Sequence, residues 1–317
     1  MTYFVPAVIG LAAFGLALVG IGGWRLAQAW GRAPKARRWV LFVALALLEA
    51  LIWLSVYAFL IEPRTLVVRE VAIVSAHWRG APLRIAAIGD THVASPHVNV
   101  RRMERIVRRI NALHPDLVVL LGDYAGSHEP EAQRSGRERS QVLGGVATFA
   151  SLDAPLGVVG VLGNHDVWYG RGEIARAMEE AGVATLWNRC VVIERAGGDF
   201  VVAGLADQDT GDPDFARALD GAPAIDTIVI SHSPDPFAEA PARIALMIAA
   251  HSHCGQVTIP FVGRPILPIH NSRYACHRVD EDGRTLFVTG GIGTSIAPVR
   301  FLNPPEIVLI TLRGARG

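Results

Sequence analysis

The sequence predicts an α/β domain carried behind a two-helix membrane hairpin. Three observations predict it. Two long apolar runs stand near the N-terminus. After about residue 66, short apolar runs alternate with amphipathic helical stretches and Gly-Asp or Gly-Asn turns. Five of the predicted strands then end in side chains able to bind a metal. A mean hydropathy of +0.32 is high for an ordinary soluble chain, which is why membrane segments are sought first.

From Phe4 to Trp24 there is no charged residue, and from Trp39 to Ile61 the only one is Glu49. About twenty residues of helix cross a bilayer core. A carboxyl group at mid-membrane costs about 2.5–3.5 kcal/mol, so Glu49 is expected to face the other helix or to be protonated. The connection 25–38 carries Arg25, Arg32, Lys35, Arg37 and Arg38 and no acid. Basic loops stay cytoplasmic. Both ends are therefore expected outside, with the protein spanning the plasma or inner membrane twice and its catalytic domain extracytoplasmic. The first span lacks a basic leading segment, so it does not read as a cleaved signal. The expected division is a hairpin over 1–65 (spans about 4–24 and 39–61) and a second domain over 66–317.

In that domain, Leu83–Ile88, Leu117–Leu121 and Val158–Leu162 read as buried strands. Val100–Leu113 reads as an amphipathic helix whose Arg101, Arg102, Arg105, Arg108 and Arg109 form a solvated face. Glu173–Ala181 reads as a helix closed by Gly182. Later strands are expected at Val191–Ile193, Phe200–Ala203, Ile225–Ile230, Ala245–Ala249, Leu286–Val288 and Ile307–Leu312. Ser127–Ser140 is charged and aperiodic, and reads as a mobile loop. The formal net charge of +1 gives no reason to expect nucleic acid as a partner. Cys190, Cys254 and Cys276 are too few and too scattered for a disulfide framework or a Cys-x-x-Cys zinc site.

The chemistry collects at strand ends. Gly89-Asp90-Thr91-His92, Gly122-Asp123, Gly163-Asn164-His165-Asp166, Ser231-His232 and Ala250-His251-Ser252-His253 each follow a predicted strand. Sites in open α/β sheets form at carboxyl ends of strands, and the glycines allow sharp turns there. The donors are oxygen and imidazole without thiolate, which suits manganese, iron or zinc. Asp90, His92, Asp123, Asn164, His232, His251 and His253 are too many ligands for one ion and enough for two that share a carboxylate.

These five motifs resemble those of the calcineurin-like metallophosphoesterases, in particular their membrane-associated bacterial branch, from about Leu83 to the C-terminus. The resemblance implies a four-layer α/β/β/α sandwich of mixed sheets and two divalent ions, manganese first among them. By that resemblance Asp90, His92, Asp123 and His253 hold one ion. Asp123, Asn164, His232 and His251 hold the other. His165 stands near the scissile group. Asp166 either orients His165 or starts a helix. The implied reaction is hydrolysis of a phosphodiester, phosphomonoester or pyrophosphate, and a membrane tether favours a lipid-linked substrate. Arg300 is a candidate to grip substrate phosphate, Trp168 and Tyr169 to wall the pocket, and His97 and His128 to touch substrate. The sequence departs from the family at Ala250 and Cys254, where glycine is usual, and Cys254 is expected to be an inert free thiol. A non-catalytic membrane scaffold or accessory domain that keeps the fold is the alternative. It would be expected to lack a ligand or His165, and none is missing.

Overall fold

The computed structural model describes residues 4–30, 34–126 and 133–315. Arg32, and His128 with the first part of the expected loop, lie outside them. Helices α1 (Phe4–Ala29) and α2 (Lys35–Val56) form an apolar hairpin. A π-helical turn, Tyr57–Ile61, and a 3-10 turn, Glu62–Arg64, continue α2 toward the second domain. Pro6–Gln28 and Lys35–Arg64 are long and apolar enough to cross a membrane. Small residues let the helices approach. A Cβ on Gly15 would meet Ile52 Cδ1 at 2.7 Å, and one on Gly22 would meet Leu45 Cδ2 at 2.8 Å. Glu49 was expected to face the other helix or to be protonated. Its side chain is exposed on α2.

The second domain starts with β1 (Val67–Ser75), which runs parallel to the last strand, β12 (Glu306–Gly314). The first sheet is completed by β2 (Leu83–Ile88), β3 (Leu117–Leu120), β4 (Val158–Gly160) and β5 (Ala184–Thr185), in the order β1-β12-β2-β3-β4-β5. The second contains β6 (Arg189–Ile193), β7 (Phe200–Gly204), β8 (Thr227–Ile230), β9 (Leu246–Ala249), β10 (His277–Glu281) and β11 (Arg284–Val288), in the order β10-β11-β9-β8-β7-β6. Both sheets are mixed.

Alternation along the strands builds the layers. Leu83, Ile85, Leu117 and Val119 of the first sheet meet Phe200, Val202, Ile228 and Ile248 of the second in the central core. Ala86, Ile88, Val118 and Leu120 turn the other way, under α3 (Val100–Asn111), α4 (Gly136–Ala147) and α5 (Asn164–Glu180). On the far side of the second sheet the helical layer is thin: α6 (Phe215–Ala218) and the turns that carry Phe237 and Tyr274. The four-layer expectation holds, with one outer layer reduced.

Three readings need correction. The stretch expected to be a loop up to Ser140 becomes helix from Gly136, capped by Ser135 Oγ, which accepts from Glu138 N at 3.1 Å. Arg102 is not on the solvated face of α3; it is buried and donates to His97 O at 2.9 Å. Cys254 is not a free thiol but forms a disulfide with Cys276, across a sequence separation of 22. Linear spacing hides that pair, because the turn after β9 and the start of β10 meet only once β9 and β11 lie side by side. Cys190 is unpaired.

The hairpin joins the domain through specific contacts. Glu62, 1% exposed, accepts from Leu302 N and Asn303 N. Arg300 N donates to Ala58 O at 3.0 Å, and Tyr57 meets Phe301 edge-on.

Candidate metal centre

The loops after β2, β3, β4, β8 and β9 converge at one end of the two sheets and bring the expected ligands together. Asp90, His92 and His253 form one group whose donor atoms lie within 4.8 Å of one another. Asp123, His232 and His251 form a second, and His92, Asp123 and His165 a third. Asp123 is common to two groups. Its Oδ2 lies 3.4 Å from His232 Nε2, 3.7 Å from His92 Nε2 and 3.9 Å from His165 Nε2. Its Oδ1 is engaged elsewhere, accepting from His165 N at 2.9 Å. Asn164 Oδ1 stands 3.1 Å from His232 Nε2, and His251 Nδ1 stands 3.0 Å from the same nitrogen.

These loops are held in costly conformations. Asp90, His92, Asp123, His251 and His253 all have positive φ, between 43° and 65°. For side chains larger than glycine that region costs on the order of 1–3 kcal/mol per residue and clusters at functional sites. Gly122 (φ 88°) leaves room where a Cβ would fall 2.6 Å from Gly163 N, so the β3 and β4 loops touch backbone to backbone. Ala250, one of the departures from glycine, is accommodated by its neighbour: a Cβ on Gly89 would lie 2.7 Å from Ala250 Cβ.

The residues fit divalent cations on three counts. His232 Nδ1 donates to Leu121 O at 2.8 Å and His92 Nδ1 to Ala125 O at 3.3 Å, which leaves a lone pair on each Nε2. His92 Nε2 faces His253 Nε2 at 3.1 Å, so two imidazole nitrogens converge where no carboxylate lies between them. Asp90 Oδ2 is buried without a hydrogen-bond partner, which is rare for a carboxylate oxygen unless a cation belongs there.

Protonation equilibria keep three of the imidazoles free to ligate. Burial, reinforced by His165, pushes His92 down to about 3. Burial and the neighbouring His92 hold His253 well below the ordinary value, and burial with His232 lowers His251. These three imidazoles are neutral. Burial would raise Asp123, yet His232 and His165 hold it well below the usual carboxylate range. Burial would lower His232, but Asp123 and Asp90 raise it well above its ordinary value, so a cation binding at Nε2 would displace a proton.

A family model for the calcineurin-like phosphoesterases matches residues 83–255, more than half of the sequence and all five motifs. The chain belongs to that family. It is a metallophosphoesterase whose domain lies behind two apolar helices. It is 27% identical over 234 residues to a metallophosphoesterase of Bacillus subtilis, a match covering 73% of this chain and 79% of the relative. A phosphodiesterase of Escherichia coli is 27% identical over 238 residues, covering 73% and 83%. A transmembrane protein with a metallophosphoesterase domain from Bos taurus is 28% identical over 317 residues, covering 92% and 67%, so that match reaches into the helices.

Other assignments to this phosphoesterase site change. Arg300 was expected to grip substrate. It is fully buried, and its guanidinium donates to Gly293 O, Gly290 O and Asn303 O at 2.6–3.0 Å, with His253 Nδ1 at 3.5 Å. The backbone takes its donors, so it braces the loop behind His253. Asp166 does not orient His165 through its carboxylate. Oδ1 accepts from Tyr124 N and Ala125 N, and Oδ2 from Asp123 N and Gly163 N, all within 3.0 Å. It lies in the first turn of α5 and locks two ligand loops together. Tyr169 is buried in the core, and His97 Nε2 donates to Pro298 O, whereas Trp168 is half exposed with its ring 5.3 Å from that of His165. One acid was missed. Asp209 Oδ2 lies 3.6 Å from His251 Nε2 and follows β7 in Asp207-Gln208-Asp209. The rule that found the other ligands, a strand end followed by acids, would have found it.

Proposed function

We propose that this chain is a membrane-anchored phosphohydrolase with a dinuclear metal site, in which the hairpin occupies 1–65 and the catalytic domain 66–317. Asp123 carries the reading, because its Oδ2 sits between the two histidine groups and can serve both. Asp90, His92, Asp123 and His253 would hold one ion; Asp123, Asn164, His232 and His251 the other. When bound, such ions supply Lewis acidity, which acidifies water and neutralises charge on phosphoryl oxygens. Manganese suits the donor set, with iron or zinc also compatible.

The chain's own side chains do the rest. His165, with Nε2 3.5 Å from Ser295 Oγ, stands at the edge of the cluster and delivers a proton or a hydrogen bond to the leaving oxygen. Trp168 shields its outer side. Asp166 keeps the Asp123 loop and the Asn164 helix in register, so the donors stay fixed as a phosphate enters. The substrate is a phosphodiester, phosphomonoester or pyrophosphate presented at a membrane surface, and nucleic acid is not expected.

The full-length protein should retain about two divalent ions per chain by elemental mass spectrometry. Chelation should abolish hydrolysis of a chromogenic phosphodiester, and Mn²⁺ should restore it. A single retained ion, or activity that survives chelation, would sink the dinuclear reading.

The basic connection between the helices supports a catalytic domain outside the cytoplasm. The Cys254–Cys276 disulfide also supports it, since such bonds persist in oxidising compartments. A tag placed after Gly317 should therefore be lost when protease is added to intact cells or spheroplasts. Protection until the membrane is opened would reverse the topology.

A further inference from the structure

We propose that residues 256–268 and 295–302 form a lip that inserts into the membrane surface, and that the pocket between them takes an acyl chain of a membrane phospholipid. The inference rests on the phosphoesterase reading and adds the substrate class: a phospholipid, its phosphate offered to the histidine cluster from the bilayer side.

Exposed apolar side chains gather on these two segments. Phe261 is 109% exposed, Val262 72% and Ile296 78%, with Ile266 and Leu302 also exposed. The segments are one unit. Thr258 N donates to Phe301 O and Phe301 N to Gln256 O, at 2.8 and 2.9 Å, while the Gln256 amide bonds Ser295 N and Ser295 O. Exposed apolar side chains gathered on one hydrogen-bonded unit mark an interaction surface.

The occupant follows from position. The second segment is bonded to the end of the membrane-length helix, through Arg300 N to Ala58 O, Phe301 to Tyr57, and Leu302 and Asn303 to Glu62. The lip therefore begins where the chain leaves the bilayer. Neither 256–276 nor 291–305 contains an acidic residue, so nothing in them repels anionic headgroups.

Between the segments lies a cavity of about 140 Å³, walled by Val257, Pro265, Ile266, Ile296, Ala297 and Val299 and lined also by the buried Ser252 and His253. Its walls suit alkyl chain rather than a charged headgroup. A chain lodged there would leave its phosphate beside a metal-binding histidine. The Cys254–Cys276 disulfide ties the two ends of the lip loop next to that histidine.

The test uses the full-length protein in vesicles of phosphatidylcholine and phosphatidylglycerol that contain a phosphatidylcholine with a diazirine on one acyl chain. After irradiation, label should appear in peptides 256–268 and 295–299 as well as in the helices. Ala297→Trp, which fills the pocket, should reduce the lip label several-fold and leave the helix label unchanged. Phe261→Asp, at a fully exposed tip, should lower the lip label without any demand on the core. Label confined to the helices, or lip label indifferent to both variants, would overturn the proposal and leave the patch to a protein partner. Hydrolysis separates the two readings. Dodecyl 4-nitrophenyl phosphate should be cleaved about tenfold or more faster than the methyl ester at equal low concentration, and Ala297→Trp should bring that ratio toward one. Equal rates without lip label would sink the acyl pocket and leave the phosphoesterase standing. Lip label with neither ester cleaved would support the pocket and overturn the phosphoesterase reading beneath it.

Discussion

Asp123→Asn is expected to reduce metal-dependent phosphodiester hydrolysis by at least ~10³-fold, because a neutral amide cannot serve two cations at once. The fold should survive. The amide oxygen can still accept from His165 N, as Oδ1 does now. Asp166 still accepts the backbone N–H groups of Asp123, Tyr124 and Ala125. Elemental analysis should show loss of bound metal, while circular dichroism and the urea midpoint of the metal-free protein stay near wild type. Full activity in this variant would remove Asp123 from the centre of the site. Activity lost together with the fold would instead make it a structural residue. Asp166→Asn supplies the contrast, since it disturbs the backbone bonds to both loops and should cost stability as well as activity.

Much of this arrangement was legible in the sequence because it rests on local signals. A buried parallel strand reads as an unbroken apolar run, and a glycine followed by an acid or histidine reads as its end. β2 is found at its full predicted extent, and the helix predicted from Val100 starts there. What stayed hidden depends on non-local partners. β1 carries Arg69 and Glu70 in mid-strand and lies at a sheet edge with only β12 beside it, so its pattern is half exposed. β10 is an edge strand for the same reason, and β5 has two residues.

The site follows the same division. The candidate ligands are marked by local signals, strand ends followed by Asp, Asn or His, and the fold brings those residues together. What surrounds the ligands is not local. Nothing in the sequence shows that Asp166 faces backbone rather than imidazole, or that Cys254 meets Cys276. Each depends on the distance between two loops that belong to different strands.

Arg300→Met is expected to destabilise the protein by about 3–5 kcal/mol, the usual cost of removing one member of a buried charged network. Methionine fills much of the volume but leaves the carbonyls of Gly290, Gly293 and Asn303 without their donors. It also withdraws the positive charge that faces Asp90, Glu306 and Glu62. Burial lowers the guanidinium only to about 10, so this charge is present at neutral pH. Arg300→Lys should not rescue, because one ammonium cannot reach carbonyls that the planar fork serves together. For a domain of this size the loss corresponds to a fall in Tm on the order of 10 °C. The same change loosens the loop behind His253, so metal affinity should fall with stability and kcat should drop at saturating substrate. An arginine that gripped substrate phosphate would behave otherwise: KM would rise, with Tm and metal content unchanged. Measuring Tm, bound metal and the KM–kcat split on the methionine variant separates the two, and the buried hydrogen bonds of Arg300 favour the first.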